Sequence, residues 1–247
     1  MKRLSIFLFS ISTFFSQTAT AQGYAFGVKG GLAVGQQAWS SGGSATNNLL
    51  FKYHGAAFIE SVSASDKGQS VLFAQLGYHL RGSAFRYRSG AAYDPSGNIV
   101  KVDGFKQEFI FKNIGLILGA KRRGVLGKER AFYTVGLRGE YTVGTNLEDT
   151  PLNPFYISNY PEKEFVRKFQ YGLTLSGGYE FPFSELAGGF IEFSIHPDLS
   201  RQYFRGEYPA YDGYLRQNVI VPSQAIRNIS FELSIGFRLL RKIEYVD

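Results

Sequence analysis

Hydrophobic and polar residues alternate along several stretches of the chain. In residues 131–143, Val135 and Leu137 fall on one face, whereas Thr134 and Arg138 fall on the other. A period of two is the pattern of a β-strand with one apolar and one polar face. The same alternation predicts eight strands, which cover residues 24–35, 51–63, 69–82, 105–121, 131–143, 169–181, 188–196 and 228–239.

The polar face of these strands differs from that of a soluble β-sandwich. It contains mostly Gly, Ser, Thr, Gln and Asn with scattered charges, whereas the other face is a continuous row of Leu, Ile, Phe and Tyr. Small polar residues suit the interior of a narrow barrel, and large apolar residues suit lipid. The pattern therefore favours a barrel in a membrane, and a soluble β-protein is the alternative.

Long and short connections alternate between the predicted strands. The long connections are residues 36–50, 86–104, 146–164 and 204–225, and the short ones are 64–68, 122–130 and 182–187. This is the rhythm of an outer-membrane barrel with long loops outside and short periplasmic turns. The turn signal in residues 94–98 (DPSGN) also predicts a hairpin within the second long loop. The sequence therefore predicts an all-β, eight-stranded antiparallel up-and-down transmembrane β-barrel with long extracellular loops and short periplasmic turns.

The N-terminus has the pattern of a secretory signal peptide. Lys2 and Arg3 precede the apolar run 4–15, and residues 19–21 (ATA) give the small-x-small pattern expected before a cleavage site. The apolar run is too short to span about 30 Å of hydrocarbon. We therefore predict a signal peptide in residues 1–21, a barrel in 22–240 and a short periplasmic tail in 241–247.

Composition excludes several kinds of chemistry. The 247 residues include no cysteine, which excludes disulfide scaffolds, thiol nucleophiles and iron–sulfur clusters. No His, Asp or Glu group has metal-ligand spacing, so we expect no metal, no cofactor and no catalytic site. The net charge is +7, but the basic residues are dispersed, so nucleic acid is not an expected partner. The expected surroundings are outer-membrane lipid and lipopolysaccharide.

The predicted inner face carries charged residues. Eight strands enclose space for packed side chains rather than an open channel, and charges in that space must be paired. His54 and His79 fall on the same face. A gated proton or ion path is the alternative use of these groups. We predict a lumen ion-pair network of Glu60, Arg81, Lys121, Arg138, Glu140, Glu180, Glu192, Glu232 and Arg238.

The predicted long loops are rich in Tyr and Arg. These residues are typical of protein-contact surfaces, because they combine a large contact area with polar ends. An equal alternative is that the aromatics pack into a rigid cap over the barrel mouth. The predicted contact residues are Arg86, Tyr87, Arg88, Tyr93, Tyr156, Tyr160, Tyr203, Arg205, Tyr208, Tyr211, Tyr214 and Arg216.

Several short segments resemble the PorT-like outer-membrane barrels of Bacteroidota. They are residues 26–32 (FGVKGGL), 53–60 (YHGAAFIE), 80–82 (LRG), 169–172 (FQYG) and 177–181 (GGYEF). The chain departs from the family at Gln75, where such barrels commonly have Glu, and in residues 241–247, which extend past the usual aromatic end. The resemblance implies an eight-stranded barrel in the outer membrane of a Gram-negative bacterium of this group. Some relatives assist type IX secretion, and many have no assigned role.

Three functions are compatible with these patterns. The first is a non-enzymatic accessory or assembly subunit that binds a protein partner, with a type IX secretion component as one option. The second is a surface adhesin or ligand-binding barrel. The third is a lipid-modifying enzyme centred on His196, near the predicted outer end of the seventh strand. No recognisable serine motif accompanies this histidine, so we expect no enzyme.

Overall fold

The computed structural model describes residues 21–40, 46–63, 70–87, 89–93, 97–125, 128–147, 161–212 and 216–242. The predicted signal peptide lies outside these residues except for Ala21, and so do residues 243–247 of the predicted tail. No helix in these ranges is long and apolar enough to cross a membrane.

Nearly all of the described chain is β-structure. One turn of 3-10 helix covers Lys163–Phe165. The strands are β1 (Ala21–Trp39), β2 (Thr46–Asn48), β3 (Leu50–Ser63), β4 (Ser70–Tyr87), β5 (Gly90–Tyr93), β6 (Ile99–Val102), β7 (Phe105–Val125), β8 (Lys128–Thr145), β9 (Phe169–Pro182), β10 (Ala187–Pro197), β11 (Tyr203–Arg205), β12 (Tyr208–Asp212), β13 (Gln217–Val221) and β14 (Gln224–Lys242).

Eight of these strands close into a ring. Their order is β1, β3, β4, β7, β8, β9, β10 and β14, each antiparallel to its neighbours, and β14 pairs again with β1. The closing seam runs from Gly23 opposite Lys242 to Trp39 opposite Ile226. Closure removes the open edges that a flat sheet would expose. The predicted eight-stranded antiparallel barrel is confirmed.

Side chains alternate across the barrel wall as predicted. In β8, Val135 and Leu137 point outward, whereas Thr134, Arg138 and Glu140 are buried inside. Leu137 is 68% exposed, and the outer face displays many other large apolar residues. An apolar surface of this extent is unfavourable in water and matches the lipid-facing band of an outer-membrane barrel. The described chain is therefore a transmembrane barrel of the outer-membrane type.

Two predicted boundaries are wrong at the periplasmic end. The connection predicted at 122–130 is mostly strand, because β7 continues to Val125 and β8 begins at Lys128. Arg123 consequently points inward, where two glutamates bind its guanidinium group. The predicted tail begins too early, since Arg241 pairs with β1 as part of the wall.

The extracellular connections contain further strands. β5 and β6 form the hairpin predicted around residues 94–98, and β12 and β13 form a second one. β2 pairs with β4, and β11 pairs with β14, so these short strands extend the wall above the lipid-facing band. At the other end, the turn between β9 and β10 is short and is closed by a hydrogen bond from Phe183 N–H to Ala187 O (2.9 Å).

The seam between β3 and β4 is the shortest of the ring. Its ladder runs only from the His54–His79 pair to the Glu60–Phe73 pair. Below this ladder, Ser61 Oγ accepts a hydrogen bond from a backbone N–H of β4 (3.0 Å). A side chain thus replaces the backbone pairing at the periplasmic end of the seam.

Above the same ladder, the backbone of β4 lies very close to that of β7 at Gly82. Its φ is +149°, and a Cβ there would lie 1.8 Å from Phe109 O. Only glycine fits this conformation and this close approach. Residues 81–84 are buried in succession at this close approach.

Candidate functional site

The lumen is filled by layers of side chains. At the periplasmic end lies a group that we call the periplasmic cluster, which consists of Glu60, Lys121, Arg123, Glu180 and Arg238. Glu60 accepts hydrogen bonds from Arg123 and from Arg238 (3.1 Å), and it lies 3.2 Å from Lys121 Nζ. Glu180 accepts a hydrogen bond from Arg123 Nε (3.0 Å) and lies 3.3 Å from Arg238. Three bases surround two acids, so the cluster carries one excess positive charge.

The next layer combines an ion pair with aromatic rings. Lys29 pairs with Glu192, which also accepts a hydrogen bond from Ser194 Oγ (3.0 Å). Between this pair and the periplasmic cluster lies a cavity of about 20 Å³, lined also by Gln75. Gln75 Nε2 has no protein partner in the described part of the chain. The cavity is large enough for one water molecule, which would accept this hydrogen bond.

All three histidines of the chain meet in the middle of the lumen. We call His54, His79, His196 and Glu232 the histidine cluster. His79 Nδ1 lies 2.8 Å from Glu232 Oε1, and His196 Nε2 lies 3.0 Å from Oε2. His54 Nε2 is 3.6 Å from Oε2 and 2.9 Å from Ser234 Oγ. The carboxylate accepts from each imidazole N–H that points at it, so neutral histidines satisfy it.

Two imidazole nitrogens in the histidine cluster lack a hydrogen-bond partner. These atoms are His54 Nδ1 and His79 Nε2, both buried within the described residues. The two rings stack 5.8 Å apart at their centroids. No group of three or more His, Cys, Asp or Glu side chains in the described ranges is arranged to hold a metal ion. The cluster is therefore a hydrogen-bonded carboxylate site with two free imidazole nitrogens.

A second set of ion pairs lies above the histidines. Arg81 donates two hydrogen bonds to Glu140 through Nε (2.8 Å to Oε2) and Nη2 (2.6 Å to Oε1). Arg138 lies 3.3 Å from the same carboxylate and pairs also with Asp198. Asn113 Nδ2 donates a further hydrogen bond to Glu140 (3.0 Å). Two bases thus balance two acids in this layer.

An apolar cap closes the extracellular end. Phe109, Phe111 and Leu147 are buried together, with Trp39 packed against them. Tyr203 is 0% exposed, and burial raises the pKa of its phenol above the ordinary value. Tyr203 is thus buried within the extracellular structure, where its ring packs against Phe165.

The structure brings every residue of the predicted ion-pair network into the lumen. The prediction missed Lys29, Arg123 and Asp198. The sequence places Arg123 in a predicted turn, and Lys29 lies in a glycine-rich strand whose alternation is weak. Asp198 follows a proline at the end of β10 and reaches Arg138 from there.

The predicted contact residues of the loops separate into two groups. Tyr203 and Arg205 are buried, so assigning them to a contact surface is wrong. Arg205 instead pairs with Glu162 (3.2 Å) inside the extracellular structure. The exposed residues are Arg86, Tyr208, Tyr211 and Arg216. Arg88, Tyr156, Tyr160 and Tyr214 lie outside the described residues, and Tyr87 and Tyr93 belong to strands whose side chains are not described at these positions.

His196 does not face the membrane or the outer rim. It is 0% exposed within the lumen, where Thr174 Oγ1 lies 3.0 Å from Nδ1 and Glu232 lies 3.0 Å from Nε2. Lipid cannot reach it through the closed wall. The position of His196 in the lumen is therefore incompatible with a lipid-modifying site centred on this histidine.

Comparisons with known proteins place the chain beside other barrels. No family model and no curated protein matches it. The outer membrane protein OprG from Pseudomonas aeruginosa is 9% identical, with 88% of this chain and 97% of that chain covered and a TM-score of 0.44. Ail, the attachment invasion locus protein of Yersinia pestis, is 9% identical over 88% and 99% of the two chains (TM-score 0.36). The outer membrane protease OmpT from Escherichia coli is 11% identical over 90% and 98% (TM-score 0.31). Similarities with identities and TM-scores as low as these do not establish a shared activity.

Proposed function

We propose that this protein is a non-enzymatic accessory or assembly subunit of the outer membrane, which binds a protein partner through the hairpin formed by β12 and β13. The observation that carries the proposal is the exposure of Tyr211 (67%) and Ile220 (73%), which lie on one face of this hairpin above the membrane. An exposed aromatic and aliphatic pair is the kind of anchor found at the centre of protein interfaces.

Two buried residues, Arg205 and Tyr203, make contacts near the base of the hairpin. Arg205 lies with its guanidinium carbon 5.2 Å from the ring centre of Tyr208, and it pairs with Glu162. Tyr203 packs edge-on against Phe165 at a centroid distance of 6.2 Å. An ordered hairpin loses less conformational entropy on binding than a loose loop does. This support favours recognition by the hairpin rather than by the barrel interior.

The filled lumen also supports a role outside transport. Charged layers occupy it from the periplasmic cluster to Arg81, and the apolar cap covers them. The resemblance to PorT-like barrels makes a type IX secretion component the first partner to test. A surface adhesin that uses the same hairpin on a host ligand is the alternative.

Extraction from native membranes in a mild detergent tests the proposal. We expect the wild-type barrel to elute with one protein partner in fixed stoichiometry, and the Y211S/I220S double variant to elute alone. Ile99→Ser, which removes an exposed side chain from the other hairpin, is the matched control and should keep the partner. A wild-type barrel that elutes alone from its own membranes contradicts the proposal, and binding to a host ligand by that lone barrel would support the adhesin.

A further inference from the structure

The outer wall is indented near its periplasmic end. A groove of about 760 Å³ lies across β3, β4, β7 and β8 on the lipid-facing side and reaches Tyr24 of β1 and Leu173 of β9. Large residues form its sides and two alanines form its floor. The six that matter are Ile59, Leu72, Leu118 and Leu137 on the sides and Ala74 and Ala120 on the floor.

The strand register explains the shape of this groove. Ala120 lies opposite Leu72 on one neighbouring strand and opposite Val135 on the other. One row further from the periplasm, Ala74 lies between Ile59 and Leu118. Each row therefore has a small residue flanked by large ones, and the small residues are offset by one strand. The depression follows this diagonal along the wall.

The groove is deeper where the backbone pairing between β3 and β4 ends. Ser61 lines the groove, and its hydroxyl rather than its backbone bonds to β4. Glu60 and Phe73, the last pair of the ladder, border the groove as well. The groove thus extends inward from the outer surface of the wall as far as Glu60 and Phe73.

A basic residue and an aromatic residue lie next to the groove on its periplasmic side. Arg122 follows Ala120 on the outward face of β7 and is exposed. Its direct neighbours across the strands are Ser70 and Tyr133. Tyrosine and arginine at this level lie where the apolar band meets the headgroups. A guanidinium group there is complementary to a phosphodiester.

We propose that this groove binds the acyl chains of one glycerophospholipid of the periplasmic leaflet, with its phosphate held by Arg122 and the hydroxyl of Tyr133. The short turns place this end of the barrel at the periplasm, so the groove opens to that leaflet rather than to the lipopolysaccharide outside. The site is independent of the proposed partner, because the hairpin that carries that proposal lies at the opposite end of the barrel.

Native mass spectrometry of the full barrel tests this site. The protein is delipidated in detergent and titrated with palmitoyl-oleoyl phosphatidylethanolamine. We expect one lipid to bind to the wild type before any others. Arg122→Gln should weaken this first binding about tenfold, because it removes a charge-assisted hydrogen bond. Ala120→Leu, which fills the floor, should weaken it by a similar factor.

Two matched variants control for nonspecific lipid contact. Lys112→Gln removes a basic residue from the same face of β7 at the extracellular end, and Ala57→Leu enlarges an outward alanine that does not line the groove. Both should bind the lipid as the wild type does. Gel migration with and without heating shows that each variant is a folded barrel, and Arg122→Gln beside the groove tests the site even if Ala120→Leu fails to fold. Equal lipid binding by wild type, Arg122→Gln and Lys112→Gln overturns the proposal, and so does preferential binding of lipopolysaccharide in the same titration.

Discussion

The periplasmic cluster and the histidine cluster neutralise buried glutamates in different ways. Glu60 and Glu180 are bound by lysine and arginine side chains in ion pairs. Glu232 is bound by imidazoles, which can donate a hydrogen bond to a carboxylate while they are neutral. The same barrel thus contains one cluster held by ion pairs with lysine and arginine and one held by hydrogen bonds from imidazoles.

The two clusters also differ in how many of their polar atoms have a hydrogen-bond or ion-pair partner. Arg123 bridges both glutamates of the periplasmic cluster, so that removing either acid leaves a buried cation short of a partner. In the histidine cluster, His54 and His79 each keep a nitrogen without a partner. The first cluster therefore depends on every one of its ion pairs, whereas the second has room for another hydrogen bond. This difference suggests that the periplasmic cluster rigidifies the wall more strongly.

Glu60→Leu should give the largest loss of stability. It leaves three bases with a single carboxylate, and breaking a buried ion pair in this way costs about 3–5 kcal/mol. The free energy of unfolding can be measured with urea in lipid vesicles, using the fluorescence of Trp39, the one tryptophan of the chain. Glu185→Leu, in the exposed turn before β10, is the control and should change stability by less than about 0.5 kcal/mol. Equal losses for the two variants would contradict a stabilising role of the ion pairs of Glu60.

His79→Leu should have an intermediate effect. It removes one hydrogen bond to Glu232 but leaves His196 in place, and a buried acceptor that loses one partner costs about 1–3 kcal/mol. The same urea titration measures it. A loss as large as that of Glu60→Leu would show that the two clusters bind their carboxylates equally firmly.

His54→Leu should have the smallest effect of the three. Its closest hydrogen bond joins Nε2 to Ser234 Oγ, and a net hydrogen bond of this kind contributes about 0.5–1.5 kcal/mol. The contact with Glu232 is longer, at 3.6 Å. A greater loss for His54→Leu than for His79→Leu would mean that His54, rather than His79, holds the carboxylate.

Alternation was sufficient to predict the barrel but not the ends of its strands. The inward position of Glu140 and the outward position of Leu137 follow from a period of two, because a closed wall separates a polar lumen from lipid. Arg123 escaped the same rule, since Arg and Gly next to each other also form turns. Only the three-dimensional position of Glu60 and Glu180, on distant strands, makes that arginine an inward residue.

The meeting of the three histidines could not be predicted from the sequence either. Each of them lies on a strand with polar alternate positions, but their height along the barrel depends on the stagger of β3, β4 and β10. The outward Tyr211 and the buried Tyr203 lie in the same loop with similar neighbours in sequence. Which of them is exposed depends on the path of β11 along β14, and that path is a tertiary feature.

The closing seam has a consequence for how the protein is made. Gly23 pairs with Lys242, so β1 must wait for the last strand of the ring to be synthesised and exported. Contacts between such distant parts of a chain form slowly, and meanwhile the edge of β1 is open to pairing with another polypeptide. A chaperone that shields the edge of β1 during export would therefore be needed until β14 arrives. A chain truncated before β14 could not close the ring and would need this protection permanently.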